Sequence, residues 1–523
     1  MRNDVVVIGA GCNGLVAAAF LAKAGLKTLV LERTDRVGGA MRMSEIAAGF
    51  RCPTLAHTAA VDPAIVRALA LERHGLQFLQ PDAHVCAPMD DGRALTLWRD
   101  PARAARQIDA FSSRDGARYE PFLESARRIG GVLAAALESL PPSLDAPTAG
   151  DLVAGLKLGR AFRALGRADG HRLMRWVAMP VADLVGEWFE SEPLRAAVAA
   201  SGVLGSFLGP RSAGSSLVLL LLGAIYAHPI AHGWWPRGGV GAVSDALAAA
   251  ARQAGVIIRT DAAVERIEVT DDAASAVTLA SGETIAAGAT LSSVDVKHTL
   301  LNMIDPIHLA PELVRRVQNI RARGTLAKVN YAVSALPDLA NQVAAALSGR
   351  IRLAADVDAI ERAFDAAKYG TFSDEPWIEL TIPSVTDPSL APSGAHVVSA
   401  YVQYAPYALR GTTWDDERER LGDVATRTIG RYAPGFEPTI IARQVITPLD
   451  LERTYGFTGG HIFHGELAAD QLFMGRPVLG WTRYATPIRN LYLCGTGTHA
   501  GLNGGSGARV AKEILRNLKR QTR

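Results

Sequence analysis

Residues 4–32 read DVVVIGAGCNGLVAAAFLAKAGLKTLVLE, and the reading of the whole chain starts there. Val5, Val6, Val7 and Ile8 form a β-branched run before a turn signal, the mark of a strand buried on both faces. Gly9, Gly11 and Gly14 follow in the spacing G-x-G-x-x-G. The first glycine permits a tight turn, the second lets backbone approach a pyrophosphate, and the third lets the helix pack closely on its strand. The helix expected from about Asn13 to Ala24 is apolar almost all round, so other elements must cover it, and Gly25 is placed to end it. A second strand over 28–31 delivers Glu32, whose carboxylate can accept hydrogen bonds from ribose hydroxyls and would repel a 2′-phosphate. The phosphates belong where the helix N-terminus offers free N–H groups and a partial positive charge. A lone glycine motif is weak, and its plain reading is an ordinary turn. Here strand, glycines, helix, second strand and acid arrive in order, which points to dinucleotide binding.

At 523 residues the chain exceeds what one hydrophobic core usually holds, so two or more domains are expected. Its 55 basic residues nearly cancel its 52 acidic ones, which argues against nucleic acid as a partner. Cys12, Cys52, Cys86 and Cys494 are scattered without a C-x-x-C pair or metal-like spacing, so neither a dithiol redox centre nor a metal site is expected. The compartment reads as reducing and cytoplasmic. No signal peptide is evident, and the longest apolar stretch, 217–227, is too short to span a bilayer.

After Glu32 and Arg33, the segment 36–42 (RVGGAMR) sets Gly38 and Gly39 beside arginines, with Ala40 and Arg42 following. Backbone can close there on a diphosphate while a guanidinium compensates its charge, which tilts the cofactor from NAD to FAD. The irregular segment 49–58 (GFRCPTLAHT) should cross toward the cofactor and carries His57, although a single histidine is more often packed than catalytic. From 62 to about 229 the pattern turns mostly helical. Within it Leu158, Phe162 and Leu165 share one face of a helix and Lys157, Arg160, Arg163 and Arg167 the other. The plain reading of residues 151–167 is a surface helix on its own core, and the sharper one is a peripheral contact with an anionic membrane. The apolar helix 215–226 is either domain core or the wall of a greasy substrate tunnel. A nucleotide-fold rhythm returns at 234–295, and strand-like segments follow at 327–333, 377–382 and 396–401. Residues 454–484 gather Tyr455, Phe457, His461, His464, Trp481 and Tyr484.

The C-terminus repeats strand, glycine loop and helix: 490–494, then 495–507 (GTGTHAGLNGGSG), then 508–518. This makes a second anion site at the far end of the chain, with a helix N-terminus that can face the flavin ring.

Gly9, Gly11 and Gly14 with Glu32, the segment 36–39 (RVGG), 235–239 (WPRGG) and 491–495 (LYLCG) before Thr498 and His499 together resemble the phytoene desaturase-like branch of the FAD-dependent amine oxidase superfamily. The resemblance covers the full length. Segments 459–466 (GGHIFHGE) and 480–484 (GWTRY), with Asp470 and Gln471, are closer still to the group named pyridine nucleotide-disulfide oxidoreductase domain-containing protein. It implies an α/β fold: a discontinuous Rossmann-like FAD-binding domain with an inserted α+β substrate domain that includes a helical region. The expected division is 1–70, 234–295 and 487–523 for the FAD-binding domain, 71–233 for the helical substrate region and 296–486 for the mixed substrate domain. The implied cofactor set is Gly9, Gly11, Cys12, Asn13 and Gly14; Glu32 and Arg33; Gly38, Gly39, Ala40 and Arg42; the backbone of Val264 at the adenine; and Gly495, Thr496, Gly497, Leu502, Asn503 and Gly504. Thr496 stands where many members have an acid, and 52–55 (CPTL) replaces the Asp-x-Gly of phytoene desaturases, so the floor of the site has diverged.

The expected function is an FAD-dependent dehydrogenase, desaturase or isomerase that moves hydride equivalents from a mainly apolar, isoprenoid or lipid-like substrate to flavin. The rivals are a flavin amine oxidase and a non-catalytic, flavin-stabilised protein at a membrane. Candidate acid or base groups are His57, His464 and Tyr484. Nothing in the sequence fixes an oligomeric state.

Overall fold

A computed structural model describes residues 3–142, 147–499 and 501–521. The strands Asn3–Ile8 and Thr28–Leu31 form as expected and pair in parallel, Val5 opposite Thr28 and Ile8 opposite Leu31. Both are apolar on both faces because helices cover the sheet. The parallel core runs Leu491–Leu493, Thr284–Ser292, Asn3–Ile8, Thr28–Leu31, Ile257–Arg259, so three distant parts of the chain build one sheet. An antiparallel ribbon, Val264–Thr270 with Ala273–Leu279, extends it along the first half of Thr284–Ser292.

The helix Cys12–Lys23 buries nine of its twelve residues. It lies against the helices Gly241–Gln253 and Gly505–Gln521, which is why it carries no polar face. Leu15, Val16 and Leu21 are fully buried there, each contributing about 1.5–3 kcal/mol. Gly25 adopts φ +92°, the left-handed geometry that ends the helix.

A second seven-stranded sheet runs Ile440–Ile446, Leu326–Val333, His396–Gln403, Ile378–Thr381, Arg350–Leu353, Ala83–Pro88, Ala94–Trp98. All neighbours are antiparallel except Arg350–Leu353 with Ala83–Pro88. The last two strands correct the sequence reading, which made residues 62–229 mostly helical. Their alternation was hidden by apolar residues on both faces: all of Ala94–Trp98 is buried. Helices then dominate from Pro101 to Tyr226, including Ser113–Glu138 and the buried Ser215–Tyr226.

The helix Ala149–Ala164 has no buried residue. Leu158 and Ala161 pack against the neighbouring core, while Lys157, Arg160 and Arg163 are exposed. Leu152, Val153 and Leu156 are more than half exposed as well. Among the described residues no helix is long and apolar enough to cross a membrane.

Candidate functional site

A cavity of about 370 Å³ takes its lining from both sheets. On the nucleotide side the three motif glycines have separate tasks. A Cβ on Gly14 would meet Gly9 O at 2.2 Å, so this glycine serves close packing. Gly9 has φ +92°, and its own Cβ would meet Ser293 Oγ at 2.6 Å. A Cβ on Gly11 would meet no atom of the chain within 4 Å. Gly11 faces open cavity, the place a pyrophosphate needs. The second glycine pair closes on the first: Gly38 N donates to Ala10 O at 3.0 Å, and a Cβ on Gly39 would lie 3.3 Å from Gly11 Cα.

Glu32 lines the cavity and is buried. Its Oε2 accepts from Ala10 N at 2.9 Å, and its Oε1 accepts from Thr34 N at 3.1 Å and Thr34 Oγ1 at 2.9 Å. The carboxylate therefore holds the glycine turn as well as lining the cavity. Arg42, also on the cavity, donates to Thr34 Oγ1 at 3.1 Å and Asp35 Oδ1 at 3.0 Å. Cys12, Asn13, Arg33, Ala40 and Val264 line it too.

From the C-terminal loop, Thr496, Leu502 and Gly504 reach the cavity. Gly495, Gly497 and Asn503 do not line it, nor does Gly14. A Cβ on Gly495 would meet Val294 O at 2.7 Å and one on Gly497 would meet His464 O at 2.9 Å, so these glycines serve backbone packing. Asn503 Oδ1 accepts from Gly505 N at 3.2 Å at the start of the closing helix. Ala500 lies outside the described residues. Arg476, unmarked by the sequence reading, is buried under this loop and donates to Phe463 O at 2.6 Å and Thr496 O at 3.1 Å. Glycine-lined backbone, a free helix N-terminus and a buried acid fit a dinucleotide and its diphosphate.

Of the candidate acids and bases, His57 and His464 line the cavity. Tyr484 does not: it is buried in the nucleotide-domain core, and its hydroxyl donates to His499 O at 3.1 Å. Burial pushes the His464 imidazole down to about 4 and that of His57 well below its usual value, so both are neutral at pH 7. Neither ring nitrogen of His57 has a hydrogen-bond partner. Its ring stacks on Tyr401 with centroids 3.6 Å apart, and Nδ1 lies 4.0 Å from Glu379 Oε1.

That contact leads to a feature the sequence reading missed. Lys328, Tyr401, Glu379 and Arg352 stand directly opposite one another across four adjacent strands of the second sheet. All four are buried, as is Arg350 two residues before Arg352. Glu379 accepts from Arg350, and from Arg352 Nε at 2.9 Å. Arg350 also donates to Thr58 Oγ1 at 2.8 Å and His232 O at 2.7 Å. Lys328 Nζ donates to Leu55 O at 2.6 Å and sits 4.4 Å from the centre of the Tyr401 ring. The signal was present as charges inside apolar strands, RIRL at 350–353 and IEL at 378–380, but their meeting depends on register across the sheet.

The apolar wall beside these groups comes from Leu55, Leu204, Leu222 and Tyr226, the last two from the helix expected as core or tunnel wall. All four cysteines are free, and burial raises Cys12, Cys52 and Cys86 to about 12, so thiolate chemistry is disfavoured.

Residues 7–70 match the NAD(P)-binding Rossmann-like domain family model. The chain is 35% identical over 547 residues to the rat pyridine nucleotide-disulfide oxidoreductase domain-containing protein 2, covering 99% of this chain and 94% of the relative. It is 27% identical over 533 residues to the lycopene-forming phytoene desaturase of Pantoea ananas, covering 99% and 100%. Among solved structures, a cofactor-binding redesign of putrescine oxidase superposes with a TM-score of 0.60 at 15% identity over 99% of both chains, a likeness of fold. With the glycine cradle, the buried Glu32 and the full-length match together, the chain belongs to the phytoene desaturase-like family of flavin-dependent oxidoreductases, in the group of pyridine nucleotide-disulfide oxidoreductase domain-containing protein 2.

Proposed function

We propose that the chain is an FAD-dependent dehydrogenase or desaturase, or a related isomerase, acting on a mainly apolar, isoprenoid or lipid-like molecule. The observation that carries this reading is one cavity lined by both the glycine cradle and the leucines at 55, 204 and 222. Glu32 favours a plain ribose, and the glycine loops at both ends of the chain suit a diphosphate, which together favour FAD. Bound FAD supplies the acceptor for a hydride equivalent. The chain's own residues exclude water with aliphatic side chains, orient the substrate, and offer the neutral His57 and His464 to hold a proton.

An amine substrate would need a carboxylate to receive its ammonium group. Glu379 is already shared by two guanidiniums, so the amine oxidase reading has no support on that side of the cavity. The experiment is anaerobic: enzyme is mixed with isoprenoid or lipid extracts, with primary and secondary amines, or with NADPH, and the flavin band is followed. Bleaching by the extracts is expected. Bleaching by amines alone or by NADPH alone would overturn the proposal.

A peripheral contact with an anionic membrane through residues 151–167 belongs to the same reading. It is supported by exposed Leu152, Val153 and Leu156 on a helix that also exposes Lys157, Arg160 and Arg163. Flotation with phosphatidylserine vesicles should be lost in Leu152→Asp/Leu156→Asp. Equal flotation of this variant and the parent would remove the contact.

A further inference from the structure

We propose that the substrate carries a carboxylate, and that this group docks between His57 and Arg350 on the buried charged row of the second sheet. The proposal deepens the reading above and rests on it. Two guanidiniums, Arg350 and Arg352, are buried within this cluster and share one carboxylate, Glu379, while the Lys328 amine is buried beside them and burial pushes its pKa well below the usual lysine value. Cys52 and Tyr401, the neighbours that could ionise to balance them, are held neutral because burial raises both. The cluster thus carries at least one uncompensated positive charge, and a second when Lys328 is protonated. Taking such charge out of water costs several kcal/mol unless an anion accompanies it. A ligand carboxylate supplies the missing charge.

The geometry gives that carboxylate a place. His57, Arg350 and Tyr401 line the cavity beside the aliphatic wall, and His57 brings two buried ring nitrogens with no partner. A neutral imidazole donates from one of them, which suits a carboxylate oxygen. The Lys328 amine is anchored by the Leu55 carbonyl and the Tyr401 ring, and an anion docked on this cluster favours its protonated form, which adds attraction. The substrate this site selects is an amphiphile: an apolar body against Leu55, Leu204 and Leu222, with a carboxylate at the end that meets the charged row.

The test compares decanoate, decanol and decylamine by calorimetric titration of the flavin-loaded protein as purified. Decanoate is expected to bind at least tenfold more tightly than decanol, with decylamine weaker than either. In Lys328→Met, which keeps the apolar stem and leaves no carboxylate unpaired, the preference for decanoate should fall at least fivefold. His57→Phe keeps the ring stack and should lower it as well. Equal binding of decanoate and decanol, or tighter binding of decylamine, overturns the anion site. So does an unchanged preference in both variants. Binding is read without turnover, so the outcome is separate from the bleaching experiment: extracts that bleach the flavin with no carboxylate preference leave the oxidoreductase reading standing and remove this one.

Discussion

Asn13 and Ser506 are 493 residues apart in sequence, yet Asn13 Oδ1 and Ser506 Oγ lie 2.8 Å apart in the structure. The same asparagine donates from Nδ2 to Gly501 O at 2.8 Å, while Ser506 Oγ also reaches Cys494 O at 2.6 Å and donates to one acceptor at a time. One buried amide thus ties the first glycine motif to the last. The two glycine loops are held as one unit by buried polar contacts.

Asn13→Ala should therefore lower stability by about 1–3 kcal/mol, because it strands the buried Gly501 O, while the Ser506 hydroxyl keeps Cys494 O as its acceptor. Asn13→Asp should be worse, since its carboxylate faces the Gly501 carbonyl. Thermal melting of flavin-free protein and the flavin-to-protein absorbance ratio check this. Full flavin content and an unchanged melt in Asn13→Asp would contradict the tie.

The motif glycines make a discriminating pair. Gly11→Val places its branches in open cavity, so the variant should fold with near-normal circular dichroism and emerge colourless. Gly14→Val drives Cβ toward Gly9 O, where the ideal position is 2.2 Å away, and should fail to accumulate as folded protein. A yellow Gly11→Val protein would refute the role assigned to that turn.

These assignments were open to the sequence because they rest on local order: strand, turn, helix and strand tip within thirty residues. The charged row was not, since Lys328 meets Tyr401 and Glu379 meets Arg352 only through strand register, which no local pattern specifies. Tyr484 misled for a related reason. It precedes the C-terminal strand, and proximity in sequence to a cofactor loop did not reveal that its hydroxyl turns to His499 O. The strands Ala83–Pro88 and Ala94–Trp98 lacked alternation because both faces are covered, so they merged into the helical pattern around them.

Acid should weaken the fold through its buried histidines. His57, His232, His461 and His464 all have lowered pKa values, chiefly from burial, with His461 at about 3 and His464 at about 4. The unfolded chain binds a proton at each near pH 6.5, and the folded chain does not, so stability rises with pH. This contribution is fully present above that value and is lost as pH falls toward each folded pKa, at about 1.4 kcal/mol per pH unit per group. The melting temperature should be flat between pH 7 and 8 and fall steeply from pH 6 to 4.5. His464→Gln should make the fall shallower by one group; an identical slope would show that His464 is not protected.

Glu379 gives the sharpest test of what the buried row is for. Burial pushes its carboxyl up, but Arg350 and Arg352 more than offset this and hold it below the usual range. Glu379→Gln keeps the shape and removes the charge, leaving two buried guanidiniums unpaired at a cost of about 3–5 kcal/mol. Replacing all three at once, with Glu379→Leu, Arg350→Met and Arg352→Met, should recover most of that loss, because well-packed apolar side chains often match a buried ion network. Denaturant unfolding of the single and triple variants measures both steps. If the network exists for stability, the triple variant stays as weak as Glu379→Gln. If it exists to receive a ligand, the triple variant regains its stability and binds decanoate no better than decanol, which separates a ligand-binding row from a structural one in a single protein.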